Sequence, residues 1–280
     1  MPSQLNVYQT VEARKAELRA KASRTRIRNL ALQIVVGVFI VGIWQFGAYM
    51  HFIDPFFFSS PSLIVAKIVQ WFTQGTSGGP LYIHFVVTFE ETIVGFIVGV
   101  VLGVVAGYSL GTSEILSVIF SPYIKMFNAL PRIVLAPIFI LWLGLGMSSK
   151  VACAVVLVFF VVFFNAFEGV REVDRNLLNN ARLLGADQRQ LAQHVIIPSA
   201  LTWILSSLHT AFGFALVGAV VGEFIGSTQG LGFLISEARG TFDTAGVFAG
   251  MLLLSSTGLV ADGLVARLER LLIGWRYVRQ

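Results

Sequence analysis

The sequence predicts an all-α membrane protein with about six transmembrane helices, on three observations. Runs without a single Asp, Glu, Lys or Arg recur at 29–53, 92–113, 133–149, 151–167, 195–222 and 244–261, and a bilayer core is crossed by about 20 apolar helical residues. Charged residues make up only 12% of the chain, where a soluble domain carries about a quarter, and mean hydropathy is +0.78. Finally, the basic residues are asymmetric about these runs. With spans at 30–50, 86–111, 131–147, 150–168, 197–223 and 245–266, all but Lys67, Lys150 and Arg239 of the 20 basic residues fall on one side. That side, which holds both termini, is predicted to be cytoplasmic.

Taken in order, residues 1–28 form a basic cytoplasmic tail (EARKAELRAKASRTRIR) that reads either as an interfacial helix or as a solvated topogenic segment. The run behind it is too long for the apolar core of a cleavable leader and reads as a signal anchor. On the outer side, Ser60-Pro61 opens an amphipathic helix with Ile64, Val65, Ile68, Val69 and Phe72 along one face. In the second span Gly95, Gly99, Gly103, Gly107 and Gly111 recur every four residues, as do Gly218, Gly222, Gly226 and Gly230 around the fifth. Four residues turn a helix by about 400°, so each series winds slowly along one face. In lipid such faces permit close backbone approach, and both series predict tight helix–helix seams within one subunit or across a dimer.

Residues 114–130 are mostly apolar yet hold Pro122, Lys125 and Asn128. A straight span from Leu116 would bury Lys125 and Arg132 at roughly 2.5–3.5 kcal/mol each. The segment is therefore placed as a partly re-entrant helix on the cytoplasmic side, with Pro131 at the bend into a short third span. The single cysteine, Cys153, excludes an intrachain disulfide and a cysteine-cluster metal site.

Between the fourth and fifth spans lies a polar island, the loop 169–196. Asp174 is placed to cap a short helix through Leu184, and Gly185 supplies a left-handed or tight corner. Asp187 with Gln190 reads as a capping box that starts a second short helix. Pro198 then stands in the first turn of the next run, where its missing N–H costs nothing. Two short helices about a glycine corner suit docking into a partner's groove.

Ionisable and amide groups inside the spans are few. Glu223 precedes a glycine-rich bend near the outer end of the fifth span, either as a pathway or gate residue or as a carboxylate pinning the turn. Asn165 near the inner end of the fourth span either satisfies backbone groups or lines an inner gate. His209, beside Ser206, Ser207 and Thr210, either lines a pore or packs. Glu90 and Glu91 are expected at the outer interface.

The polar island resembles the EAA loop of binding-protein-dependent ABC importer permeases. In that pattern a glycine follows the last alanine by four positions and a proline follows the glycine by thirteen; Ala181, Gly185 and Pro198 stand at this spacing, with Val195-Ile196-Ile197 near its I-x-L. Asn179 and Asn180 replace the Glu and first Ala, so no role of that glutamate carries over. PRIVLAPIFILWLGLG from Pro131 to Gly146, NAFEG from Asn165, and EFIGSTQGLG from Glu223 are similar to the nitrate/sulfonate/taurine branch. The resemblance implies a type I importer-like bundle and a permease subunit in a bacterial inner membrane. Ala181, Arg182, Leu183, Leu184, Gly185, Ala186, Asp187, Arg189 and Pro198 would couple it to an ATPase. The implied partners are a second permease copy, two ABC ATPase subunits that bind the ATP and Mg, a periplasmic or lipid-anchored binding protein, and membrane lipid. The implied solute is a small sulfonate, taurine or nitrate, with a heterocyclic vitamin or precursor as the alternative.

Other functions find less support. There is no G-x-x-x-x-G-K-[ST] loop to hold ATP and no H-E-x-x-H, nucleophile elbow or metal-spaced His/Cys cluster. No cofactor, metal or catalytic role is therefore expected of this chain. The pI near 9.6 follows from basic residues beside an anionic leaflet and requires no nucleic acid. An ion-coupled secondary transporter would need acids near the midplane or broken helices in two repeated halves. A membrane scaffold without transport is left open by periodicity alone.

Overall fold

A computed structural model describes residues 2–272, with the side chains of 2–24, 26, 175 and 268–272 excepted. Arg276 and Arg279, two of the basic residues behind the predicted orientation, lie outside the described residues. By contacts the chain divides into two units, Met1–Val65 and Ala66–Gln280.

In the first unit, helix α1 runs unbroken from Pro2 to Tyr49, so the basic tail and the first span are one helix. Its apolar part, from Ile27 to Tyr49, is long enough to cross a bilayer and leaves Val35, Val38, Phe39 and Ile43 exposed for lipid. After a turn, Asp54 caps α2 (Pro55–Phe58) by accepting from Phe56 N–H at 2.9 Å. The division between units falls within α3 (Pro61–Gln74).

The second unit is built on three long helices: α4 (Leu81–Thr112), α7 (Met147–Arg171) and α10 (Ile197–Ile225). Between the first two lie α5 (Glu114–Ala129), a 3-10 turn (Arg132–Leu135) and α6 (Ala136–Leu143). The period-four glycines of α4 meet α7 in register. A Cβ on Gly99 would lie 2.7 Å from Val158 Cβ, on Gly103 2.9 Å from Val162 Cβ, on Gly107 2.7 Å from Ala166 Cβ, and on Gly111 2.8 Å from Val170 Cβ. Both numbers rise together, so α4 and α7 run parallel. Gly218 and Gly222 of α10 meet Ala154 and Lys150 of α7; there the numbers run oppositely and the helices are antiparallel. Val158, Val162, Ala211 and Ala215 are buried at the centre, flanked by Phe96, Val100, Val104 and Val161.

The parallel pair bears on how the chain passes between α4 and α7. Among the described residues five helices are long and apolar enough to span, and a sixth exists only if α5 and the segment Arg132–Leu143, bent by 88°, are taken together. Two parallel neighbours require the chain to return across the membrane between them, so the bent segment makes that return. The expected short span at 131–147 is thus an eight-residue helix, about 12 Å long, extended by a 3-10 turn. Gly226 departs from the expected seam. It ends α10 in extended backbone (φ −167°), and its α face meets only the side-chain ends of Leu145 and Ile140.

Helices α8 (Arg175–Leu183) and α9 (Gln188–Leu191) form the loop between α7 and α10. Helices α11 (Leu231–Gly240) and α12 (Thr244–Leu272) complete the described residues.

Candidate functional site

The corner of the polar loop is closed by hydrogen bonds from its own backbone N–H groups. Asp174 Oδ1 accepts from Asn176 N–H at 2.8 Å and starts α8. At its end, Ala186 N–H donates to Ala181 O at 3.0 Å and Gly185 N–H to Arg182 O at 3.0 Å. With Gly185 at φ +85°, this is a Schellman close. Asp187 then closes a reciprocal capping box: its Oδ1 accepts from Gln190 N–H at 2.7 Å, and Gln190 Oε1 accepts from Asp187 N–H at 2.9 Å. The corner carries Leu183 and Leu184 outward, 85% and 88% exposed. The turn thus presents two leucines side by side to solvent.

One feature of the loop differs from the sequence expectation. Helix α9 does not stop before Pro198 but passes through a π turn, Ala192–Ile196, straight into α10, giving continuous helix from Gln188 to Ile225. A proline inside a helix lacks its donor and crowds the carbonyl four residues back; the wider turn removes that crowding. The loop therefore joins the fifth span rigidly on one side and bends at Gly185 on the other.

A second cluster is buried where α4, α7, α10 and α11 converge. Glu223 is fully buried. Its Oε1 accepts from Thr88 Oγ1 at 2.6 Å and its Oε2 from Gly232 N–H at 2.7 Å. Thr88 Oγ1 in turn accepts from Leu231 N–H at 2.9 Å. His84 Nδ1 accepts from Gly230 N–H at 3.0 Å. That leaves Nε2 to donate to Thr76 Oγ1 at 2.7 Å, and Thr76 donates to Gly79 O at 2.7 Å. The glycine turn before α11 is thus sewn to α4 by backbone donors. Of the two roles open for Glu223, pinning the glycine turn is the one its bonds display. Glu91 corrects an expectation: only Glu90 is exposed at the interface, while Glu91 is buried beside Glu223. Its Oε2 has no hydrogen-bond partner among the described residues. Lys150 is fully buried too, donating to Leu145 O and to Gly146 O (3.1 Å) and lying near both carboxyls. Glu91 was missed because a glutamate at a span's end ordinarily snorkels; the signal available was its i, i+3 spacing from Thr88, which sets it about 100° around the helix from Glu90.

The two other polar candidates separate. Asn165 donates to Val161 O of its own helix at 2.9 Å, a helix-internal bond. His209 is not alone: its Nε2 lies 2.7 Å from Asp262 Oδ1 on α12. Asp262, one residue beyond a charge-free run, was the partner the sequence reading passed over.

Comparison with known proteins now decides the family. Residues 99–274 match the profile of the binding-protein-dependent transport system inner membrane component family. The chain belongs to this family. It is 37% identical over 246 residues to the riboflavin transport system permease protein RibX of Chloroflexus aurantiacus, covering 88% of this chain and 90% of that one. It is 32% identical over 262 residues to a protein named for aliphatic sulfonates transport, the permease SsuC of Bacillus subtilis, covering 92% of each. Its fold is shared with the crystal structure of an amino acid ABC transporter with histidines (TM-score 0.56, 20% identity, covering 75% of this chain and 96% of that one). The chain is therefore an ABC importer permease, a multi-pass subunit of the inner membrane whose family works with ATPase and substrate-binding partners.

On the permease's α11–α12 corner, Lys67 Nζ lies 2.7 Å from Asp243 Oδ2, and Asp243 Oδ1 caps α12 by accepting from Gly246 N–H at 2.9 Å. Partial burial pushes the Asp243 carboxyl up, but the bond from Lys67, the Gly246 N–H and the Lys67 charge together hold it below its ordinary value. A folded value below the unfolded one, about 3.9, means that the stabilisation is present above that pH and is lost as pH falls through the lower folded value. Hydrogen exchange at the first turn of α12 is expected to quicken as pH falls below the unfolded value of about 3.9 and through the lower folded one, after correction for intrinsic exchange. The step should vanish in Asp243→Asn; its persistence there would assign it to another group.

Proposed function

We infer that this permease imports a small solute by alternating access driven by separate ATPase subunits. Two copies form the pathway, and each offers its 174–194 loop to one ATPase, which binds and hydrolyses the ATP with Mg. A periplasmic or lipid-anchored binding protein delivers solute to the face opposite the loop, and both termini are cytoplasmic. The observation that carries the reading is the Gly185 corner. Two exposed leucines project from a turn closed on both sides by its own hydrogen bonds, with Arg182, Asp187 and Arg189 forming a charged rim, and the turn continues as helix into the fifth span. Leu183, Leu184 and Ala186 fill the ATPase groove; movement of the groove becomes movement of α10. The pathway-side candidates that remain are His209, now with Asp262, and the outer corner held by Glu223.

For solute, the sulfonate, taurine or nitrate class fits the motifs around Pro131, Asn165 and Glu223, and SsuC supports it. A heterocyclic vitamin or precursor is the second reading, and the 37% identity to RibX favours it.

The test is a series at Gly185. A Cβ there meets nothing within 4 Å in the chain, so any steric defect must come from a partner, while the left-handed backbone costs a non-glycine residue about 1–2 kcal/mol. Gly185→Asn, which tolerates that conformation, is expected to retain uptake and ATPase copurification. Gly185→Trp is expected to assemble in the membrane and lose at least tenfold in uptake. Wild-type uptake with retained ATPase in Gly185→Trp would remove the coupling role.

A further inference from the structure

We propose that His209 and Asp262 line the solute pathway inside the membrane and favour solutes that bring hydrogen-bond donors over anions that offer acceptors alone. The inference rests on the reading above that two copies enclose a pathway, and it chooses between the two solute classes named there. His209 Nε2 lies 2.7 Å from Asp262 Oδ1 and joins α10 to α12. Along their helices the two residues stand about 18 Å from Ile197 and about 15 Å from Leu272, and farther still from the opposite ends. An ionisable group at such depth faces protein or water, not lipid. Yet the chain does not enclose this pair: the His209 side chain is 41% exposed and that of Asp262 59%. Glu91, Lys150 and Glu223, by contrast, are buried within the same unit. There is also room beside the pair. A Cβ on Gly213, one turn from His209, would meet nothing within 4 Å, whereas one on Gly218 of the same helix would strike the backbone of Ala154. Asp262 Oδ2 has no hydrogen-bond partner among the described residues. Dry packing over it would leave that oxygen stranded at a cost; water and a passing solute satisfy it.

The free atoms on this face define what it recognises. Ser206 lies one turn from His209, and Ser255 two turns from Asp262; both are exposed. Their hydroxyl protons are already given to backbone, Ser206 Oγ to Trp203 O at 2.8 Å and Ser255 Oγ to Met251 O at 2.8 Å. What remains on offer is acceptor capacity: two hydroxyl oxygens and a carboxylate oxygen. Neither helix carries a Lys or Arg before Arg267, so no cation here matches an anion. A sulfonate or nitrate group brings further acceptors to acceptors. A heterocycle with N–H or O–H groups brings the donors that the face lacks.

The test uses the full-length permease assembled with its ATPase in membranes, carrying Gly213→Cys in a Cys153→Ser background. The probes are two thiol reagents, cationic trimethylammonium-ethyl methanethiosulfonate and anionic sulfonatoethyl methanethiosulfonate, with rates normalised to free cysteine. Gly213→Cys is expected to label, the cationic reagent leading by about tenfold after normalisation, and Asp262→Asn should bring the two rates together. Val101→Cys, at an exposed position of α4, is the lipid-facing control and should stay unlabelled. Should Gly213→Cys fail to assemble, Ser206→Cys carries the same reading. Labelling no faster than at Val101→Cys, an anionic rate equal to or above the cationic one, or a preference that survives Asp262→Asn would each overturn the site. The Gly185 series fails separately: loss of the coupling role leaves this labelling unchanged, and an inert Gly213→Cys leaves coupling unchanged.

Discussion

Gly107→Ala is expected to disrupt the permease core, although it adds a single methyl group. The new Cβ would lie 2.6 Å from Phe163 O, 2.7 Å from Ala166 Cβ and 3.0 Å from Phe167 N. Two of these are backbone atoms of α7, which cannot swing aside, so α4 and α7 must separate along their length. Overpacking of this kind costs about 1–3 kcal/mol or more, and close backbone contact is what holds helices together in lipid. Gly95 makes the informative contrast. Its nearest neighbour is Ala154 Cβ, with backbone no closer than Val151 O at 3.4 Å, so Ala154→Gly should rescue Gly95→Ala. Ala166→Gly should fail to rescue Gly107→Ala because Phe163 O stays in place. The readout is monodisperse yield and thermal midpoint, with Gly42→Ala, which meets nothing within 4 Å, as the silent control. Rescue of both pairs alike would mean that side chains rather than backbones set the spacing.

Glu223→Ala should be as damaging, for electrostatic rather than steric reasons. The substitution strands Thr88 Oγ1–H and Gly232 N–H without an acceptor in a site with no exposure, and it removes a carboxyl lying near the buried Lys150. Breaking a buried polar network by removing one partner costs roughly 3–5 kcal/mol. Glu223→Gln should be milder: its amide oxygen accepts from Gly232, and its NH2 donates to Thr88 Oγ1. The expected order of stability is wild type, then Gln, then Ala, with the turn before α11 the first region to lose protection in hydrogen exchange. Equal behaviour of Gln and Ala would show that the carboxylate does not pin that turn.

Much of this architecture was legible because membrane spans and helix ends write local signatures. Charge-free runs mark helices wherever lipid forbids unpaired backbone. The Asp174 cap, the Gly185 corner and the Asp187–Gln190 box depend on residues within a few positions of one another, and each took the expected form. The period-four glycines announced a seam, but not that its other side is a parallel helix; partner and direction are tertiary facts. The misses share one cause. Glu91, Lys150 and Asp262 sit at the ends of spans, where a charge reads as interfacial until a fold turns it inward to a partner distant in sequence. Pro198 stands in the first turn of α10 as expected; what its local sequence does not reveal is that a π turn joins α9 to that helix without a break.

The parallel pairing of α4 and α7 carries a consequence for biogenesis. Gly95 and Ala154, which meet in the finished protein, are separated by 59 positions of chain, and the intervening segment must itself insert before α7 can enter in the matching direction. At a synthesis rate of roughly 5–20 residues per second, α4 waits on the order of 3–12 seconds in the bilayer with its glycine stripe facing lipid instead of its mate. Translation stalled between Thr112 and Met147 should therefore leave a permease fragment that is inserted yet unassembled, and it is in this interval that membrane quality control would first meet the protein.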